Sequence, residues 1–86
     1  MNIDDILRQK DFKGLDDFLT REMKTYADDR TIRKMVVLFG SEDSARDWFY
    51  SKIVSLGNKR PYDLCREGSL SKVTDVLGRI EHGIYI

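Results

Sequence analysis

His82 and Cys65 are the only histidine and the only cysteine of the chain. A nucleophilic site needs a nucleophile, a base within hydrogen-bond reach, and a third group that orients the base. The spacing of Cys65 and His82 matches no such arrangement. Glu81 precedes His82 near the expected end of a helix, where the helix dipole favours a protonated imidazole. One His, one Cys and scattered carboxylates also match no metal-ligand spacing with a mechanism behind it. A lone Cys forms no intrachain disulfide and reads as a small buried hydrophobe. The expectation is a protein that is not an enzyme and holds neither a metal nor an organic cofactor.

Two other stretches carry binding potential. Leu56-Gly57-Asn58-Lys59-Arg60 is basic and contains a glycine. A phosphate cradle needs more glycines and a strand leading into it, so the stretch reads as a tight helix connection with two solvated cations. Ile84-Tyr85-Ile86 puts three large apolar or aromatic residues at one end. Such an end frays unless something covers it. The cover is the domain's own core, a second copy of the chain or a different protein. Gly78 lies within a helical pattern, where glycine costs about 1 kcal/mol against alanine. Either another backbone approaches there or the glycine is tolerated at the surface.

The elements that must position these residues fit one domain of 86 residues, with a thin core that an oligomer would reinforce. Fifteen basic and fifteen acidic residues give a formal charge of zero. That argues against a protein whose main task is coating nucleic acid, since phosphate affinity comes from excess Lys and Arg. No apolar run is long enough to cross a membrane and no signal-peptide pattern is present, so a soluble, cytoplasmic protein is expected.

Hydrophobic spacing predicts helices and no strand. The first covers residues 2–11, capped by Asn2, with Ile3, Ile6 and Leu7 on one face. The second runs from Leu15 to Tyr26 and buries Leu15, Phe18, Leu19, Met23 and Tyr26, with Glu22 interrupting the stripe. Asp29 is placed to cap a third helix, Arg30 to Phe39, whose inner side is Ile32, Met35, Val36 and Phe39. Gly40 suits a left-handed stop and Ser41 caps the fourth helix. That helix buries Ala45, Trp48, Phe49 and Lys52 or Ile53. Pro61 opens a short helix to Arg66, as proline does at a first helical position. Ser69 caps the last helix, Leu70 to His82, with Leu70, Val73, Val76 or Leu77, and Ile80 inside. The fold class is all-α, a compact bundle of five to six short helices.

The second half resembles a known family. Val37-Leu38-Phe39-Gly40-Ser41 followed by Ala45-x-x-Trp48 is similar to its opening helices. Leu56-Gly57-x-x-x-Pro61-x-Asp63-Leu64 is similar to its central loop, usually Leu-Gly-Gly-x-x-Pro-x-Asp-Leu. Asn58 stands where the second glycine is usual. Val73-x-x-x-Leu77-Gly78-Arg79-Ile80-Glu81-His82-Gly83 resembles its last helix. The family is the toxin-binding domain of the Xre/MbcA/ParS antitoxins, and the resemblance covers residues 35–86.

The resemblance implies an antitoxin of a type II toxin–antitoxin system. Its partner would be a RES-domain toxin, related to ADP-ribosyltransferases and using NAD. Such antitoxins place their C-terminal segment at or over the toxin's active-site entrance. Carried over to this chain, the toxin-binding residues would be Arg79, Glu81, His82, Gly83, Ile84, Tyr85 and Ile86, with Arg60 from the central loop. Residues 1–34 form a separate N-terminal helical segment, a reduced helix-turn-helix or a dimerisation element. Members of the family carry a DNA-binding region there. Arg30, Arg33 and Lys34 at a helix start are the DNA-binding candidates, against a solvated face flanked by repelling Asp16, Asp17, Asp28 and Asp29. The alternatives to an antitoxin are a small DNA-binding autorepressor and an all-α dimerising adaptor, and a homodimer is compatible with each.

Overall fold

Gly40 and Ser41 join the two helices that pack most closely. In the computed structural model, which describes residues 3–8 and 14–83, Gly40 has φ 92° and its N–H donates to the Val36 carbonyl. A left-handed backbone costs glycine little, so the helix ends there. Ser41 then turns extended, and its Oγ accepts from the Ser44 N–H at 3.0 Å. This two-residue joint folds Asp29–Phe39 (α3) against Glu42–Phe49 (α4). Phe39 stacks on Trp48 with ring centroids 5.2 Å apart, across the joint.

The other helices are Ile3–Arg8 (α1), Leu15–Tyr26 (α2), Pro61–Arg66 (α5) and Leu70–Glu81 (α6). A single 3-10 turn, Val54–Leu56, precedes α5. Among the described residues there is no strand, only an isolated bridge between Ile53 and Lys59. The fold is the expected all-α bundle. Against the expectation of a capped helix over 2–11, α1 spans Ile3–Arg8, and Asn2 lies outside the described residues.

The centre is aromatic. Phe49 is fully buried and meets Tyr50 and Tyr62 edge-on, at centroid distances of 5.2 and 6.1 Å. Met23 from α2, Met35 from α3 and Val73 and Leu77 from α6 close around it, all fully buried. Tyr50 Oη donates to the Leu19 carbonyl at 2.6 Å, joining the end of α4 to α2. Tyr62 Oη donates to Glu22 at 3.1 Å, joining α5 to α2. Glu22 is therefore the polar end of a cross-helix contact, which explains why it interrupts an apolar stripe. Burial and the neighbouring Glu22 carboxylate push the Tyr62 phenol up to about 12. Burial does the same to Tyr50. Both hydroxyls stay protonated donors.

Several local expectations are corrected. Asp28, not Asp29, caps α3, its carboxylate accepting the Thr31 N–H at 2.8 Å. The reason is geometric: the N-cap must be extended, and Asp28 is, at φ −80° and ψ 165°. Ser69 makes no side-chain cap, because its backbone sits at φ −105° and ψ 38°. Its N–H instead donates to the Leu64 carbonyl at 2.8 Å and closes the end of α5. The fourth helix stops at Phe49, so exposed Lys52 and half-buried Ile53 lie beyond it. Tyr26 ends α2 as one of the exposed large side chains, edge-on to Tyr62 with the Arg66 guanidinium over its ring.

Replacing Asp28 by Ala removes the α3 cap and costs about 1 kcal/mol at neutral pH. Hydrogen bonding from Thr31 holds the Asp28 carboxyl below its ordinary 3.8. A carboxyl lowered in the folded state stabilises above its unfolded value, and that contribution is lost as pH falls through the folded value. The denaturation midpoints of Asp28→Ala and the unaltered chain therefore differ at neutral pH and converge as pH drops below 3.8.

Candidate functional site

The last turn of α6 gathers most of the candidate residues. Val73, Val76 and Leu77 hold the helix in the core, and Ile80 packs at its edge. Arg79, Glu81, His82 and Gly83 are all exposed. The His82 N–H donates to the Gly78 carbonyl at 3.1 Å and the Gly83 N–H to the Ile80 carbonyl at 3.0 Å. Gly83 has φ 78°, which turns the chain off the helix axis. Ile84, Tyr85 and Ile86 lie outside the described residues. A Cβ built on Gly78 meets no atom of the described residues within 4 Å. Of the two readings of that glycine, open space is the one found.

Lys34 and Glu81 form an ion pair at 3.0 Å, both side chains part-exposed. A candidate DNA-binding residue and a candidate toxin-binding residue thus hold each other, linking α3 to the end of α6. Arg30 and Arg33 stand exposed on α3. Arg30 lines a cavity of about 420 Å³ between the starts of α3 and α6, beside Asp28, Thr31 and Leu70.

Arg60 stands apart from that cluster. It was expected as a solvated cation in the central loop, but its side chain is only 15% exposed. Its guanidinium donates to the Tyr50 carbonyl and, at 2.5 Å, to Asp4 Oδ1. The Arg60 hydrogen bond holds the Asp4 carboxyl below the usual range. Arg60 thus ties α1 to the end of α4. Local sequence gave no sign of this, because Asp4 is 56 positions away.

The central loop turns on two adjacent residues. Gly57 has φ 71° and Asn58 φ 63°, two consecutive left-handed residues. Asn58 is the one described non-glycine residue with positive φ. Asparagine enters that region more readily than other side chains, so it stands in for a second glycine. The Asn58 N–H then donates to the Ile53 carbonyl at 3.0 Å and closes the loop ahead of Pro61.

Sequence reading missed Arg46, which has one partner nearby on α4 and two remote ones on α2. Its side chain, 11% exposed, lies 2.8 Å from Asp43, 3.5 Å from Asp16 and 3.2 Å from the Thr20 hydroxyl. It braces α4 against α2. Cys65 is buried, and burial pushes its thiol up to about 11, far from a reactive thiolate. No cluster of three metal-ligating side chains occurs among the described residues.

The described residues form an all-helical bundle whose last helix ends in an exposed polar turn. The chain belongs to the Xre/MbcA/ParS antitoxins: residues 36–83 match the model of their C-terminal toxin-binding domain. No curated protein and no solved structure gave a significant match. The matched region takes in the last turn of α3, then α4 to α6 and Gly83. No helix among the described residues is long and apolar enough to cross a membrane.

Proposed function

We propose that this antitoxin neutralises a RES-domain toxin by covering its NAD-using active site with the end of α6 and the segment that follows. The observation that carries the reading is the division of labour along α6. Its inner face is buried at Val73, Val76 and Leu77, while Arg79, Glu81, His82 and Gly83 are left in solvent at its end. Large apolar and aromatic side chains at a chain end suit anchoring in a partner's pocket. Arg79 supplies a cation for an acidic group at the cleft mouth, and Glu81 and His82 add polar contacts. The inhibition is steric and needs no reaction by the antitoxin. The proposed setting is the cytoplasm, where NAD is available.

Co-expression tests the reading. Cells making a RES-domain toxin stop growing, and growth returns when this chain is made with it. Persistent toxicity with both proteins present in soluble form contradicts the proposal.

A further inference from the structure

The exposed side of α6 also borders a notch. This notch, of about 360 Å³, opens between α6 and the 3-10 turn, lined by Lys59, Lys72, Asp75 and Arg79 over a floor that includes Leu56 and Val76. Lys72 and Arg79 are seven residues apart, which is two helical turns, so they stand on one stripe about 10 Å apart along the axis. Neither makes an ion pair within the described residues, and neither does Asp75 between them. Lys59 is shared with Glu67 at 3.4 Å. Val54 stands next to the lining residues Ser55 and Leu56 in the 3-10 turn and is 79% exposed.

We propose that this notch is a second docking point for the toxin, and that it receives an acidic surface segment of that protein. The inference rests on the antitoxin reading. In that reading the toxin contacts the last turn of α6, and Arg79 belongs to both that turn and the notch. The notch therefore extends the same contact surface back along the helix to Lys72. Its chemistry selects a protein over a nucleic acid. Two unpaired cations call for carboxylates and Asp75 calls for a donor, while exposed Val54, beside the lining residue Ser55, offers apolar contact. A phosphate backbone offers regular anions alone, and Asp75 and Glu67 would repel it. Charges at the edge of an interface mainly set the association rate and its salt dependence.

The test uses the full chain and a catalytically silenced RES-domain toxin, with affinity and association rate measured at low and high salt. Lys72→Glu and Val54→Asp, singly and together, are compared with the unaltered chain, and denaturation midpoints confirm that each variant is folded. The expected result is an affinity lowered at least about tenfold in the double variant, with Lys72→Glu slowing association and flattening its salt dependence. If the unaltered chain binds and the folded double variant binds equally well, the notch is not a docking point and the tail reading stands. If the unaltered chain itself fails to bind the toxin, the antitoxin reading falls and the notch falls with it. Loss of binding to duplex DNA in Lys72→Glu, with toxin affinity unchanged, assigns the notch to nucleic acid and overturns the proposal.

Discussion

Phe49→Ala is expected to bring this domain close to unfolding. Phe49 is fully buried and lies among Tyr50, Tyr62 and the helices that surround them. Removing a buried phenyl ring costs about 3–5 kcal/mol, from lost transfer free energy and from the cavity left behind. Small domains are stable by only about 5–15 kcal/mol in total. The vacated space cannot collapse easily, because the flanking tyrosines are held by hydrogen bonds to Leu19 and Glu22. Urea titration followed by far-UV circular dichroism measures the effect. The midpoint should fall steeply for Phe49→Ala and change little for Val37→Ala, since Val37 is 81% exposed. Equal midpoints for the two variants would place the core elsewhere.

Much of this architecture was legible because it is local. The spacing of Leu19 and Met23, or of Val73 and Leu77, repeats within a single helix. Gly40, Ser41 and Pro61 each act on the backbone beside them. What escaped was non-local. Glu22 reads as an interruption until Tyr62 is known to lie opposite, 40 positions on. Arg60 reads as a loop cation until Asp4 is brought to it. Arg46 gains its meaning from α2. The cap of α3 slipped by one residue because Asp28 and Asp29 offer the same chemistry, and only backbone angles distinguish them.

The site divides in the same way. Arg79, Glu81 and His82 could be placed at a helix end from sequence, and the structure leaves all three exposed there. The ion pair between Lys34 and Glu81 could not, since it depends on α3 lying beside α6. The notch beside Arg79 was equally invisible, because its other wall comes from the 3-10 turn.

The segment after Gly83 is where the second large effect is expected. Deleting Ile84, Tyr85 and Ile86 should abolish neutralisation while the bundle remains folded. In an interface, a few buried aromatic and aliphatic side chains carry most of the binding energy. Losing two or three such residues corresponds to at least about a hundredfold in affinity, at roughly 1.4 kcal/mol per tenfold. The truncated chain keeps α6 and the notch, so weak residual association is expected where inhibition is gone. The decisive measurement is NAD consumption by the purified toxin, titrated with full-length chain or with the chain ending at Gly83. The account predicts stoichiometric inhibition by the first and little or none by the second at equal concentration. Full inhibition by the truncated chain, with its denaturation midpoint unchanged, would contradict it.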